Sequence, residues 1–214
     1  MAPAPVPCRI YHITHLRNLE FILRDGGLKC CASLKQEGVG YVNIAHQNIQ
    51  DRRETTQVPI GPGGVLHDYV PFYFSPRSPM LYVISRGGVE GYAEGQGPVI
   101  HLASTAQQVA AAGCPFVFTD GHGTMTPLTE FYKDLDDLDA VDWNIMTARY
   151  WSDTAQDNDR SRRRQAEFLV HEFSPWRLID EIGVMNTGMR SKVEQALQGA
   201  PHRPTVTVRA DWYY

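Results

Sequence analysis

Residues 162–171, Arg-Arg-Arg-Gln-Ala-Glu-Phe-Leu-Val-His, join a run of arginines to a short apolar strand that contains one carboxylate. Side chains on a strand alternate between its two faces, so Glu167 shares a face with Leu169, opposite Phe168 and Val170. A glutamate in this position is either an ion-paired structural group or a carboxylate held ready for chemistry. The rest of the chain has to distinguish these two interpretations.

The arginine run begins upstream at Arg160, and a polar segment rich in aspartate, 153–159, precedes it. The planar guanidinium fork suits phosphates, so Arg160, Arg163 and Arg164 can follow the phosphates of a nucleic acid next to Glu167. The alternative is a solvated charge run that answers the neighbouring aspartates. The sequence supports both interpretations equally.

Length and composition limit the classes of protein. A chain of 214 residues with 43% apolar residues suits one globular domain, 1–214, and it has no apolar segment long enough to span a bilayer. The N-terminus lacks the pattern of a secretory signal, and the four cysteines show no CxxC spacing. We therefore expect a cytoplasmic protein with reduced thiols and no membrane partner.

Many short strands with few helices between them predict an α+β fold and argue against a doubly wound parallel sheet. Thr14 is placed to cap a first helix that Gly26 and Gly27 end, and Ser104 to cap a second one. The predicted strands are 9–13, 68–74, 80–84, 99–102, 116–118, 166–171, 182–185 and 205–208, and further helices are expected at 143–151 and 188–198.

Two regions contain residue types that can bind an anion or a metal ion. His12 and Thr14 lie at a strand-to-helix turn that favours an anion. On spacing alone, the pattern favours a capping threonine beside a packed histidine over an anion site. The aspartates of 134–142 lack the ligand positions and central glycine of a calcium loop, so we expect a solvated connection and no metal site.

Several stretches together resemble the DarT family of DNA ADP-ribosyltransferase toxins, and they occur in the family's order over nearly the whole chain. They are Tyr11-His12-Ile13-Thr14-His15, the aromatic stretch 68–74 with 77–82, Thr119-Asp120-Gly121, residues 163–170, and Trp212-Tyr213-Tyr214.

The resemblance implies an ADP-ribosyltransferase-like fold, with two small antiparallel sheets around an NAD cleft and peripheral helices. It implies a toxin that transfers ADP-ribose from NAD, the donor substrate, to a base of single-stranded DNA, most often thymine. It also implies a DarG-like macrodomain antitoxin as partner.

The resemblance also implies which residues form the site. Glu167 matches the catalytic glutamate, and the catalytic arginine falls on Arg53, with Arg52 as the neighbouring alternative. The expected NAD-binding residues are His12, Thr14, Asn18, Gly27, Leu28, Arg53 and Tyr73. The expected DNA-binding residues are Met80, His122, Tyr150, Arg160, Arg163 and Arg164.

The chemistry accounts for these groups. A carboxylate near the ribose stabilises the positive charge that develops as the nicotinamide–ribose bond breaks, and it can take the proton from the base nitrogen. An arginine can hold the base carbonyl or the pyrophosphate. The base has to be unstacked, which favours single strands, and Tyr73, Tyr150 and Trp151 can stack on it.

Two other kinds of hypothesis stay open at this point. In the first, the same fold acts on guanine in DNA, or on RNA or protein. In the second, the chain is a non-catalytic module that binds nucleic acid or NAD, although the presence of both Glu167 and the arginine pair disfavours it.

Overall fold

The strand that carries Glu167 lies inside a sheet and pairs on both sides. In the computed structural model, which describes residues 2–214, this strand is β7 (Glu167–His171) and lies antiparallel between β3 (Tyr69–Tyr73) and β5 (Phe116–Thr119). Glu167 is opposite Tyr73 in this register, at the end of both strands. The carboxylate therefore begins a central strand whose backbone position is fixed by two neighbours.

Eight strands form the main sheet, in the order β10-β9-β4-β1-β3-β7-β5-β6. All neighbours are antiparallel except β9 and β10, which run parallel. A second sheet has two antiparallel strands, β2 and β8. The remaining strand bounds are Arg9–His15 (β1), Gly27–Lys29 (β2), Val99–Thr105 (β4), Phe131–Tyr132 (β6), Phe173–Pro175 (β8), Glu181–Val184 (β9) and Thr205–Val208 (β10).

This architecture is the α+β fold with two sheets that the sequence predicts, and the two sheets are very unequal in size. Eight short α-helices surround them: Leu19–Arg24 (α1), Cys31–Gln36 (α2), Gln47–Thr55 (α3), Pro79–Ser85 (α4), Ala106–Ala111 (α5), Trp143–Thr147 (α6), Arg160–Arg163 (α7) and Thr187–Ala196 (α8). None of these helices is long and apolar enough to cross a membrane among the described residues.

The two faces of β7 bury different cores. Phe168 and Val170 belong to the largest apolar cluster, where the Phe168 ring stacks on Phe116 with centroids 4.8 Å apart. Leu169 faces a smaller cluster on the other side that includes Leu66. The predicted alternation along β7 is confirmed.

The stretch 80–84 is a helix, and the prediction of a strand there is wrong. The Ser78 side chain caps α4 by accepting a hydrogen bond from the backbone N–H of Leu81 at 3.1 Å, and Pro79 occupies the first turn. Leu81 and Ile84 are buried at helical spacing. A run of consecutive apolar residues fits both periods, and the capping signal decides between them.

Three helix boundaries also differ from the predictions. Thr14 lies within β1, and His15 caps the following 3-10 turn by accepting from the N–H of Arg17 at 3.1 Å. Thr105, one residue beyond the predicted Ser104, caps α5. The helix predicted over 143–151 ends at Thr147.

The acidic stretch 134–142 is a 3-10 helix, Leu135–Ala140, rather than a fully solvated connection. Its last aspartate, Asp142, is buried and caps α6 by accepting from the N–H of Ile145 at 3.1 Å.

We predict that His101 makes the fold sensitive to acid. This histidine of β4 is fully buried, its Nε2–H donates to the Pro76 carbonyl at 2.9 Å, and burial lowers its pKa to about 4. A histidine in the unfolded chain titrates near pH ~6.5, so the unfolded state takes up a proton between pH ~6.5 and ~4 that the folded state does not. The contribution of the neutral His101 to the free energy of unfolding is fully present above this pH range. It is lost, by up to about 3 kcal/mol, as the pH drops through the range.

Urea unfolding across this pH range tests the prediction. We expect His101→Gln to flatten the acid-dependent decline in the free energy of unfolding. A decline as steep as that of the parent protein would contradict the assignment.

Candidate active site

A cleft with a cavity volume of about 180 Å³ opens between the two sheets, above the end of β7 that carries Glu167. Strands β1, β2 and β3, helices α3 and α4, and the loop after β5 contribute side chains to it. The cleft brings together all the predicted catalytic and NAD-binding residues and two of the predicted DNA-binding ones: His12, Thr14, Asn18, Gly27, Leu28, Arg53, Tyr73, Met80, His122 and Glu167.

Glu167 and Arg53 form a buried ion pair at the base of this cleft. Nη1 of Arg53 donates to Oε2 of Glu167 at 2.6 Å, and both side chains are less than a tenth exposed. Burial lowers the pKa of Arg53, but the charge of Glu167 and the hydrogen bond to it outweigh this effect and raise the pKa overall. Arg53 is therefore a permanent cation beside the carboxylate.

Each member of this pair keeps a group for a ligand. Nη2 of Arg53 is buried and has no partner among the described residues. The second oxygen of Glu167, Oε1, accepts only a long hydrogen bond of 3.4 Å from the N–H of Gly123. A buried donor without a partner costs free energy, so Nη2 is a natural contact for a carbonyl or phosphate oxygen of a substrate.

Arg52, the preceding residue of α3, does not line the cleft. Its side chain is exposed, and Nη2 donates to the backbone carbonyl of Thr124 at 3.2 Å. Arg53 is the arginine of this pair that meets Glu167.

Tyr73 lies opposite Glu167 in the β3–β7 register and forms one side of the cleft. Burial raises the pKa of Tyr73, and the charge of Glu167 raises it further, so the phenol stays neutral. Its hydroxyl donates to the sulfur of Met80 at 3.6 Å. This contact joins the first turn of α4 to the wall of the cleft.

The histidine and threonine of β1 are held in place by hydrogen bonds to other residues of the cleft. Nδ1–H of His12 donates to the Pro71 carbonyl at 2.8 Å, which leaves Nε2 as an acceptor, and burial lowers the His12 pKa so that the ring stays neutral. Asn18 donates from Nδ2 to Thr14 Oγ1 at 3.1 Å and also bonds both backbone groups of Val42. Asn18 thus ties the segment 41–45 over the cleft.

Gly27 and Leu28 belong to β2, at the edge of the cleft. A Cβ at Gly27 would collide with the Ser174 carbonyl and the Phe173 ring of the paired strand β8. Glycine here lets the two backbones of the small sheet approach closely.

The loop after β5 positions His122 and is tied to the backbone of Glu167. Thr119 Oγ1 accepts from the N–H of Glu167 at 3.0 Å and donates to the Gly121 carbonyl at 2.7 Å. Nδ1 of His122 accepts from the N–H of Thr124 at 3.2 Å, and burial lowers the His122 pKa. The neutral imidazole faces the cleft beside the catalytic pair.

The arginine run has a structural role that corrects the expectation for Arg164. This residue is 3% exposed, and its guanidinium donates to the carbonyls of Met146 at 2.6 Å and Arg77 at 2.9 Å, as well as to that of Ile145. Burial lowers its pKa to about 10, so it is cationic at neutral pH. A phosphate cannot reach this guanidinium, and the prediction of a DNA contact through Arg164 is therefore wrong.

Arg163 and Arg160 are also engaged with the protein. Arg163 forms ion pairs with Asp142 and Asp157. Arg160 donates to the carbonyls of Tyr150 at 2.6 Å and Ser152 at 3.0 Å. Arg163 therefore pairs with neighbouring aspartates, as the alternative interpretation of the arginine run expects. Arg160 instead holds the loop that contains Tyr150 and Ser152.

Tyr150 lies outside the cleft and is 76% exposed. The next residue, Trp151, is half-buried, and its Nε1–H donates to the Tyr214 hydroxyl at 3.0 Å.

Several cleft residues escaped the sequence analysis. Gln165, two residues before Glu167, lines the cleft, as do Tyr41, Cys31 and the segment 42–45. The segment 41–45 has no regular secondary structure, so no periodicity marks it. Gln165 belongs to the segment 162–171, and its position two residues before Glu167 is the sequence feature that could have indicated a place in the cleft.

Residues 2–214 contain no group of three or more histidine, cysteine, aspartate or glutamate residues placed to hold a metal ion.

The fold and the cleft define the class of this protein as an ADP-ribosyltransferase, because solved structures of such enzymes match it along its length. The structure of Thermus sp. 2.9 DarT in complex with ADP-ribosylated ssDNA matches with a TM-score of 0.93 at 46% identity, covering 100% of this chain and 99% of that one. The same Thermus protein in complex with NAD+ matches with a TM-score of 0.88 at 44% identity, covering 99% and 100%.

The sequence comparisons agree with the structural ones. The family described as ssDNA thymidine ADP-ribosyltransferase, DarT, matches residues 11–214. A DNA ADP-ribosyl transferase of Thermus sp. (strain 2.9) is 47% identical over 212 residues, 98% of each chain. The chain therefore belongs to the DarT family. Thermosipho africanus DarTG in complex with ADP-ribose shares the fold, with a TM-score of 0.78 at 19% identity. The match covers 96% of this chain and 51% of that chain.

We predict that Arg164 stabilises the fold and does not contact DNA. Arg164→Met removes the donors to three backbone carbonyls, two of them buried and one partly buried, so we expect the free energy of unfolding in urea to fall by about 3 kcal/mol. Arg203→Met removes an exposed arginine and should change stability by less than about 0.5 kcal/mol. A loss below about 1 kcal/mol for Arg164→Met, with weaker salt dependence of DNA binding, would restore the phosphate-contact role.

Proposed function

We propose that Glu167 and Arg53 carry out the transfer of ADP-ribose from NAD to a thymine base of single-stranded DNA. As a DarT family member, the chain is a DNA ADP-ribosyltransferase that uses NAD as its donor. The observation that carries the assignment of residues is the buried 2.6 Å pair at the base of the cleft.

The cleft residues fit the donor. Nη2 of Arg53 is a buried donor without a partner among the described residues, and Nε2 of His12 on β1 is an acceptor. We assign NAD binding to these two side chains together with Thr14, Asn18, Gly27, Leu28 and Tyr73. NAD supplies a leaving group, nicotinamide, which departs with the electron pair of the bond to ribose.

The protein contributes charge and proton transfer. The Glu167 carboxylate stabilises the positive charge on the ribose in the transition state, where a buried site strengthens the interaction. The ring nitrogen of the base forms the new bond to ribose, and its proton passes to Glu167. Arg53 holds Glu167 in place through Nη1 and binds the base carbonyl or the pyrophosphate through Nη2.

Met80, His122 and Tyr73 surround the place of the acceptor base. The neutral His122 ring and the Met80 side chain line the same cleft as Glu167, and most of the cleft surface is apolar, which suits an unstacked base. Tyr150, outside the cleft, is assigned to the flanking DNA, while Arg160 acts through the loop it holds.

We also propose the setting in which this reaction occurs. The main sheet takes strands from Arg9 to Val208, so we regard 1–214 as one catalytic domain. NAD and transiently single-stranded DNA are both found in the bacterial cytoplasm, which is where we place the protein. A DarG-like macrodomain antitoxin, which removes the mark and binds the toxin, is the expected partner, and the shared fold of Thermosipho africanus DarTG supports this.

We predict that Glu167→Gln abolishes labelling of thymidine-containing oligonucleotides in the presence of NAD. Loss of the carboxylate charge and of the proton acceptor should slow the transfer of ADP-ribose by about 10²- to 10⁴-fold. Mass spectrometry of the oligonucleotide measures the added ADP-ribose. Glu130→Gln, which alters an exposed carboxylate near the same loop, is the matched control and should retain full activity. Continued labelling by Glu167→Gln would remove Glu167 from the catalytic role.

The two neighbouring arginines can be separated in the same assay. Arg53→Lys keeps a positive charge but cannot bind Glu167 and a substrate oxygen through a rigid fork, so we expect a loss of about 10²-fold or more in kcat. Arg52→Lys changes an exposed residue of the same helix and should lower kcat by less than about threefold. The reverse result would assign the catalytic role to Arg52.

A further inference from the structure

A cluster of aromatic and basic side chains lies beside the cleft, and two of its rings are exposed. We call it the aromatic platform, formed by Arg77, Tyr82, Arg149, Tyr150, Trp151 and Tyr214. Tyr82 is 40% exposed and Tyr150 is 76% exposed, and both belong to the small group of large side chains that the described chain leaves in solvent.

Three rings of the platform, those of Tyr82, Trp151 and Tyr214, are joined by T-shaped contacts and a hydrogen bond. The Tyr82 ring meets those of Trp151 and Tyr214 at centroid distances of 5.7 and 5.1 Å, with interplanar angles of 89° and 69°. Trp151 also donates from Nε1 to the Tyr214 hydroxyl at 3.0 Å. These contacts hold the Tyr82 ring in place, and its 40% exposure leaves ring surface on which a base can stack.

The platform also carries positive charge that no carboxylate neutralises. The Arg77 guanidinium lies 4.3 Å from the centroid of the Tyr214 ring, and its buried Nε has no hydrogen-bond partner among residues 2–214. Arg149 lies over Tyr150, at 5.6 Å. On a chain with a net charge of −4, a local group of unpaired arginines is what a polyanion would bind.

The platform adjoins the active site through α4. Met80 lines the cleft and is three residues from Arg77, so the two Cα atoms are at most about 11 Å apart. At about 3.4 Å per stacked nucleotide, this distance corresponds to roughly three nucleotides. The Arg77 carbonyl is itself fixed by Arg164 Nη2 and the Tyr214 hydroxyl, each at 2.9 Å.

The loop that carries Tyr150 and Trp151 is fixed as well. Arg160 donates to the carbonyls of Tyr150 and Ser152, and Arg164 to those of the preceding turn. The platform is therefore ordered before a ligand arrives, which lowers the entropy cost of binding.

We propose that the aromatic platform binds nucleotides of single-stranded DNA that lie about three positions from the reacting base. This inference rests on the proposed function. Tyr82 and Tyr150 stack on the bases of these nucleotides, and Arg77 and Arg149 bind the phosphates between them. The platform sets how strongly the enzyme prefers a long strand to a short one, while the chemistry stays in the cleft.

The test compares a thymidine-centred trinucleotide with an oligonucleotide extended on both sides, at saturating NAD. We expect Tyr82→Ala to lower kcat/KM on the extended strand by about tenfold and to leave the trinucleotide unchanged. Tyr82→Trp keeps a stacking face and should restore the rate on the extended strand. Because the trinucleotide rate reports an intact site, loss of folding cannot imitate this pattern.

The arginine is tested by the salt dependence of binding, measured by fluorescence anisotropy of the extended strand. Arg77→Gln should reduce the slope of log K against log salt by about 0.7, and Arg203→Gln, which removes an exposed arginine, should leave it unchanged.

Two results would contradict the proposal that the aromatic platform binds DNA. One is an unchanged rate of Tyr82→Ala on the extended strand, and the other is an equal loss on both substrates. If the parent protein labels neither substrate, the proposed function itself fails. Labelling by the parent with no effect of the variants refutes the platform alone.

Discussion

The buried ion pair between Arg53 and Glu167 is the interaction on which the active site depends. Arg53 is the buried residue of α3, and its contact with Glu167 joins the helix directly to the central sheet. Removing two charges from water is expensive, and the short hydrogen bond offsets only part of that cost. The remaining unsatisfied donor on Arg53 indicates a site that is complete only when a substrate is bound.

The arginine run before Glu167 forms the frame around this pair. Arg162 pairs with Asp159 and Asp120, and its guanidinium occupies the space where a Cβ of Gly121 would lie. Arg164 crosslinks the end of α6 to the turn before α4. The loops on both sides of the cleft are therefore held by the residues that lead directly into the catalytic strand.

The sequence predicted the parts of the fold that rest on local periodicity. β10 and α8 lie close to their predicted bounds, and the alternation along β7 placed Glu167 correctly. The stretch 80–84 was mispredicted because an unbroken apolar run has no period of its own.

The site was less accessible to sequence reasoning than the fold. The grouping of His12, Arg53 and Glu167 came from the family resemblance, since no local pattern brings residues so far apart in the chain together. The role of the arginines was undecided because phosphates, carboxylates and backbone carbonyls all suit a guanidinium. Only their burial and their acceptors distinguish these roles.

The choice of acceptors by Arg164 has a consequence for behaviour at different ionic strengths. Neutral carbonyls inside the protein hold this cation, and mobile ions do not screen buried contacts as they screen exposed charges. Attraction between protein and phosphates, in contrast, weakens steeply as counterions accumulate. Concentrated salt should thus release nucleic acid from the enzyme while the geometry around the carboxylate persists.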